Sequence, residues 1–530
     1  GKSVAVQDRQ ISAGVTAPSP VLIALPDGLA IGGVVTWAVR LTAALAEAGR
    51  ACMLLLHDKP AGRRALPETA VGDGVLVHRL AGLPRLDEAS GDLSPWLDAY
   101  AEAAERLAAH HLRLHSVPRP TVAVPNLLGD CAGLVTALAI SDAQDLRLLL
   151  VDHSDIAYNA AVCRHYAEAA SGFVGVSAHL ADRLGRLAAD RTADVRGIAH
   201  GVAVPETLPV RAPLDGRRLE LMYTGRLENE AKRVSVLPML SAELERRGVR
   251  HRLTLIGDGP AEDAIDEACA HAPDRLRRLL PRTPAGIIAE LDRADAFVLA
   301  SRYEGLSVSL IEALSRGCVP IVTATRSGSA ELVEPGVSGE LATADGSDGE
   351  VAVALADAVQ RALTRGVAQM SEAAHRRAQR HFSIGAHAAA WGEAIDAASA
   401  KPRPTWPIDR PIAFTADGVG AVPSDAAARM AEVLAGLAGR RVMIHGTGRH
   451  TRSLLAVIED SPAEVVGFAD DNPDAAGGTL AGRPVRTPSD IENLDATDVV
   501  LSSALHEDEL WHRRAVYERA GLRVHRLYGA

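Results

Sequence analysis

The sequence predicts an α/β protein built from several parallel-sheet units, and three observations carry that expectation. Short aliphatic runs recur along the 530 residues, each followed by a glycine-bearing loop and then by apolar residues at helical spacing. The composition is rich in Ala, Gly, Val and Leu, with aromatics at 3%, which suits layers of small aliphatic side chains. The length exceeds one ordinary core, so about three domains are expected.

The elements justify this in order. Gly1 to about residue 18 is small, polar and Pro-containing and reads as a flexible lead-in. The first strand, Val21-Leu22-Ile23-Ala24-Leu25, runs into a loop ending in Gly32-Gly33, then a helical pattern from Val34 to Ala48 and a second strand from Cys52 to Leu56. Strand, glycine loop, helix and strand make a parallel βαβ unit, and the glycine pair at the strand's carboxyl end lets backbone approach a ligand closely. Further strands follow at Thr121–Val124, Arg147–Val151 and Gly172–Val176. After the Pro-rich stretch from Val204 to Pro213 a second set opens with Leu219–Tyr223 and continues at Arg252–Ile256, Ala296–Ala300 and Pro320–Thr323. Residues 401–425 form a Pro-rich linker, and beyond it lie an amphipathic helix near 424–438 and a strand, Arg441–His445. The domain plan is therefore 1–18 lead-in, 19–208 first lobe, 209–400 second lobe, 401–425 linker and 426–530 a smaller accessory unit.

Charge and cysteine usage exclude several classes. A net charge of −11 argues against a nucleic-acid partner, whose phosphates are met by Lys and Arg. Two short basic runs, Arg246–Arg252 and Arg275–Arg278, are compatible with peripheral contact to anionic lipid, although a solvated face is the simpler reading. The five cysteines are scattered without a Cys-x-x-Cys pair and read as small buried residues in a reducing compartment. No apolar run of about twenty residues appears, and Gly1 to Pro20 lack the order of a signal peptide, so a cytoplasmic protein is expected.

The chemistry concentrates after the strand Ala296–Ala300, in Ser301-Arg302-Tyr303-Glu304-Gly305-Leu306-Ser307-Val308-Ser309-Leu310-Ile311-Glu312. Glu304 falls on a strand-to-helix turn and Glu312 about two helical turns further on. The N–H groups of Gly305, Leu306 and Ser307 have no helical partners there and can face a diphosphate, while Glu312 can accept from ribose hydroxyls. Two fixed cations, Arg226 and Lys232, follow the strand that opens the second lobe; Arg233 competes with Lys232 for the role. Cations placed there stabilise charge developing on a departing phosphate more than they stabilise the ground state. No Asp-x-Asp pair stands out as a metal site in either lobe, and none is expected to be required.

With the strand Val319–Val322 and the glycine turn Ser327–Leu332, this pattern resembles the donor-binding half of retaining GT-B glycosyltransferases of family 4, and the resemblance covers roughly residues 20–400. It implies transfer of a sugar from a nucleoside-diphosphate donor, UDP by default, by front-face attack with retention and without a required cofactor. In similar enzymes Glu304 holds donor-sugar hydroxyls, and a histidine at the position of His153 faces the anomeric centre. Asp152 and Asp155 either shape an acceptor pocket or cap the next helix. Gly257 in Gly257-Asp258-Gly259-Pro260 lies under the nucleotide or simply makes a turn, His200-Gly201-Val202 resembles a hinge, and Phe382-Ser383 with the helix around Trp391 resembles the closing helix.

The last unit carries Gly446-Thr447-Gly448 after a strand, and a further strand ending at Asp470-Asp471-Asn472, a partial dinucleotide fingerprint without its last glycine. It resembles small Rossmann-like domains attached to bacterial surface-sugar enzymes, in which Asp470 would lie near ribose hydroxyls; assembly or acceptor delivery is equally compatible. Two other functions remain open: a non-catalytic nucleotide-sugar sensor or assembly subunit, and an NAD-type oxidoreductase working through Gly446 and Gly448; the sequence is compatible with an oligomer and does not fix the oligomeric state. The acceptor, whether glycan, lipid carrier, protein or metabolite, is not encoded in any motif.

Overall fold

In the computed structural model the described residues are 17–59, 63–80, 82–83, 86, 93–126, 129–280, 283–408, 410–412, 422–423, 425–471, 475–491, 494–504 and 506–529. Most of the expected lead-in, much of the linker and Asn472 lie outside them.

Three sheets organise these residues. The first contains β1 (Val21–Leu25), β2 (Cys52–Leu56), β3 (Val75–Arg79), β4 (Thr121–Val124), β5 (Leu146–Asp152), β6 (Ala170–Gly175) and β7 (Val195–Gly197), in the order β3-β2-β1-β4-β5-β6-β7. The second contains β8 (Leu219–Thr224), β9 (His251–Ile256), β10 (Leu276–Leu279), β11 (Ala296–Leu299), β12 (Val319–Thr323) and β13 (Glu340–Ala342), in the order β10-β9-β8-β11-β12-β13. All pairings in both are parallel. Helices cover both faces, so central strands such as β1 and β2 are buried along their whole length and read as unbroken apolar runs. In each sheet the strand order reverses at the centre, between β1 and β4 and between β8 and β11, which opens a crevice at the carboxyl ends.

A third sheet is built from β14 (Arg441–His445), β15 (Glu464–Ala469), β16 (Thr479–Leu480), β17 (Arg483–Arg486), β18 (Asp498–Leu501) and β19 (Arg523–Arg526), in the order β16-β17-β15-β14-β18-β19. Only the short β16 runs antiparallel to its neighbour, and the crevice here falls between β14 and β18.

The helix Ile384–Ser399 leaves the second lobe and completes the core of the first, with Trp391, Ala394 and Ile395 against Val21, Val122 and Leu149. Its entry is fixed where Val202 N–H donates to Phe382 O at 2.9 Å and Ile384 N–H donates to Val202 O at 2.9 Å. Gly201 lies under this crossing: a Cβ there would be 2.4 Å from that of His387. The hinge is therefore a steric fit between backbone and helix. The Pro-rich stretch beyond runs along the first lobe instead of hanging free, with Trp406 and Ile412 on its core and Tyr166 Oη donating to Ile412 O at 2.9 Å.

The lobes meet through polar contacts that draw the crevices together. Ser177 and Ser327 hydroxyls are 2.7 Å apart, Ala178 N–H donates to Glu331 at 2.8 Å, and Arg326 pairs with Asp155 at 3.0 Å. The two basic runs considered for lipid contact are neutralised locally: Arg247 pairs with Glu243 and Asp357, and Arg278 with Glu262 and Asp266. Among the described residues no helix is long and apolar enough to cross a membrane, no disulfide joins the cysteines, and no His, Cys, Asp or Glu cluster suits a metal ion.

Candidate active site

The site is assembled from loops at the facing carboxyl ends of the first two sheets. Ser307 ends the loop after β11 by accepting from Leu310 N–H at 3.3 Å, which starts the helix Val308–Ser315. The N–H groups of Gly305, Leu306 and Ser307 before it have no hydrogen-bond partner among the described residues. Gly305 is required by the facing lobe, since a Cβ would fall 1.8 Å from His153 O. Gly33, at the start of the first helix, Gly33–Glu47, lies opposite, where a Cβ would be 3.9 Å from Val308. Gly33 therefore faces the mouth of the Val308 helix across the crevice, whereas a Cβ at Gly32 would lie 3.4 Å from Arg63.

The two glutamates do different work. Glu304 accepts from Lys232 Nζ at 2.5 Å and from Ser301 Oγ at 2.6 Å, so its carboxylate is oriented from two sides. Glu312 is engaged by Arg40 of the first lobe, a cation that motif reading missed because it sits without a local signature on a helix distant in sequence. Arg233, the competitor of Lys232, is turned away and fully buried: Nε donates to Asp348 at 2.6 Å and Nη1 to Ala344 O at 3.0 Å. Lys232 is the member of the pair that faces Glu304. Arg226 is exposed on the loop after β8: its carbonyl accepts from Tyr223 Oη at 2.7 Å, and its side chain has no hydrogen bond or ion pair among the described residues.

Gly257 serves that same loop. A Cβ there would be 1.9 Å from Gly225 O, and Leu227 N–H donates to Asp258 O at 2.8 Å. Its immediate physical role is to let the loop carrying Arg226 stack on the loop after β9.

His153 is buried at the end of β5, and burial pushes its pKa down to about 3, so the ring is neutral. The Asn126 amide nitrogen is spent on Ala24 O at 2.9 Å and Val124 O at 3.3 Å, which leaves Oδ1 to accept from His153 Nε2–H at 2.8 Å. The expected N–H toward a reacting group is thus occupied. What remains is Nδ1, a buried lone pair with no partner among the described residues. Trp37 packs edge-on against His153 with centroids 4.6 Å apart, and its Nε1–H donates to His387 at 3.1 Å. Asp152 and Asp155 are drawn inward by Arg183, at 2.6 and 3.0 Å, so neither is a free acceptor-pocket carboxylate.

Residues 218–365 match the family model Glycosyl transferases group 1. They form a group 1 glycosyl transferase domain. The group 1 domain holds Arg226, Lys232, Glu304, Gly305, Leu306, Ser307 and Glu312, whereas His153, Gly32 and Gly33 come from the lobe before it. Over a longer span, the chain is 28% identical across 333 residues to glycogen synthase of Mycobacterium tuberculosis, covering 58% of this chain and 78% of that protein. Among solved structures, the pneumococcal O-GlcNAc transferase GtfA in complex with UDP and GlcNAc aligns with a TM-score of 0.56 at 11% identity, covering 73% of this chain and all of that one. Anabaena HepE in complex with UDP-glucose aligns at 0.53 and 16% identity, covering 71% and 99%. The two lobes share the GT-B fold of these structures, and the third sheet is an addition to it.

Beside the group 1 domain, the third sheet turns its carboxyl ends toward the crevice. Gly446 holds a φ of +115°, within 2.8 Å of Ser502 O for a Cβ, which makes glycine necessary there. Asp470 accepts from Thr447 N–H at 2.9 Å and Thr447 Oγ1 at 2.5 Å. The carboxylate expected near ribose hydroxyls therefore ties down the neighbouring loop after β14, which weakens the dinucleotide reading of Gly446, Gly448 and Asp470.

Proposed function

We propose that this chain transfers a sugar, with retention of configuration, from a nucleoside-diphosphate donor to an acceptor held against the first lobe. The observation that carries the reading is the oriented Lys232–Glu304 pair at the mouth of the Val308–Ser315 helix, directly opposite His153. The donor diphosphate lies against the unpartnered N–H groups of residues 305–307, with Arg226 swinging in from solvent. Ribose hydroxyls reach Glu312, and sugar hydroxyls donate to Glu304 and to the bare Nδ1 of His153. UDP is the favoured nucleotide, supported by its presence in the GtfA and HepE complexes.

In the step itself the acceptor hydroxyl oxygen bonds to the anomeric carbon as the bond from that carbon to the β-phosphate oxygen breaks. The electron pair stays on the phosphate oxygen, which also takes the acceptor proton. Lys232 and Arg226 meet the charge that grows there, in a partly enclosed crevice where each contact contributes most in the transition state. Glu304 keeps Lys232 directed while positioning the sugar.

Titration of UDP, GDP, ADP and dTDP, followed by nucleotide release from the matching sugar donors, tests this. Lys232→Ala is expected to lower kcat about 10²-fold with nucleotide affinity changed much less, and Glu312→Ala to weaken nucleotide binding itself. Turnover surviving intact in Lys232→Ala, or a product of inverted anomeric configuration by NMR, overturns the assignment.

A further inference from the structure

A cavity of about 590 Å³ lies where all three bodies meet, and it is lined from each. The first lobe contributes Ile156 and Tyr158, three and five residues past His153, and the group 1 domain contributes Glu230 and Tyr303, the latter adjoining Glu304. The third sheet contributes the loops after β14, β15 and β18: Gly446–Gly448, Asp470–Asp471 and Ser502–Ala504. These are the loops at its own switch point, where open α/β sheets bind ligands. The cavity is thus a space of its own beside the crevice of the two lobes, reached from the donor side only through neighbours of the site such as Tyr303, next to Glu304.

The lining selects a ligand class. Glu230, Asp470 and Asp471 share the lining with one guanidinium, Arg513, which donates to Asp471 at 2.6 Å, and with the imidazoles of His445, His450 and His506, of which His445 lies 3.5 Å from Asp471. A nucleotide would bring two phosphates against this excess of carboxylate, and the short helix after Gly448 offers little to offset it. Hydroxyls of Thr447, Ser502 and Ser503 and two tyrosines complete the wall. Carboxylates and hydroxyls with two phenol rings among them, already joined in pairs such as Thr447–Asp470 and Tyr303–Glu230, suit a neutral polyhydroxylated molecule with apolar C–H faces that can join such pairs.

From this geometry we infer that the third domain is the roof of the acceptor subsite, and that the acceptor it holds is the neutral sugar terminus of a glycan or glycoside. The inference rests on the glycosyltransferase reading above. It assigns the accessory domain a place in the reaction: its switch-point loops present a sugar hydroxyl to the donor on the His153 side of the crevice.

Two variants block the cavity without touching the donor side. A side chain at Gly448 meets no atom within 4 Å and the position has no left-handed φ, so Gly448→Trp fills space without straining the loop. Ala504→Trp does the same from the exposed loop after β18. The full-length protein saturated with UDP is titrated with methyl glucoside, methyl mannoside, methyl galactoside and maltotriose by saturation-transfer NMR, and UDP affinity is measured in parallel. Expected is a sugar signal in the wild type, reduced at least 10-fold in both variants, with UDP affinity within 2-fold of wild type. Sugar signal retained in both variants overturns the inference, as does the absence of any sugar signal from a protein that binds UDP. UDP or NAD binding that is lost in Gly448→Trp, or no UDP binding at all, instead sinks the donor reading on which it rests, and the inference with it.

Discussion

Gly305 concentrates the residue-scale logic of this site. One missing methyl group lets the group 1 domain place its turn against His153 O, where a Cβ would fall at 1.8 Å. Gly305→Ala is therefore expected to force the lobes apart at that point, lowering the thermal midpoint and cutting turnover by at least about 10²-fold, because a misplacement of about 1 Å is enough for that loss. Differential scanning calorimetry and nucleotide release check it, and an unaffected variant would mean the crevice opens freely in solution. The motif itself was readable: Glu304, Lys232 and the glycine turn stand in one local pattern each. Arg40, Trp37 and Asn126 were not readable, since each acquires meaning only from a partner on another element: Glu312, His387 and His153 respectively.

At the scale of elements, three neutral histidines mark where the helix Ile384–Ser399 meets the first lobe. Burial lowers the pKa of His153 to about 3 and of His387 to about 4, and drives His200 well down. In each case the unfolded chain, titrating near 6.5, binds a proton that the folded chain refuses. Their contribution to stability is thus complete above pH 6.5 and is lost as the pH falls toward 4. The midpoint of thermal unfolding is expected to drop steadily from pH 7 to pH 5, and a flat or rising profile would contradict buried neutral rings. The long apolar strands were legible because parallel strands covered on both faces have no alternation to obscure them. Short edge strands such as β3, β10 and β13 were not: β10 carries Arg277 and Arg278, which as sequence resembled a charged surface run.

For the whole molecule, the lobes are joined by the helix Ile384–Ser399 and by Val176 and Leu180 packed on the core of the second lobe, while polar ties such as Arg326–Asp155 act at the crevice. Arg326→Glu replaces one tie with repulsion against Asp155 while leaving both cores intact. Small-angle scattering of the nucleotide-free variant is expected to give a larger radius of gyration than the wild type, with added UDP narrowing the difference. Equal radii without nucleotide would show that Arg326 does not govern closure. The third domain belongs to the same scale, because its loops share a cavity with both lobes.

Sequence alone determined the α/β class, the succession of βαβ units and the donor motif, because each is written in short-range periodicity and local turn chemistry. Tertiary structure alone decided that Lys232, and not the adjacent Arg233, faces Glu304, that Asp470 binds the neighbouring loop after β14, and that the accessory domain shares a cavity with both lobes. Those are facts about which surfaces meet, and adjacency across sheets distant in sequence leaves no trace in a single chain's local pattern.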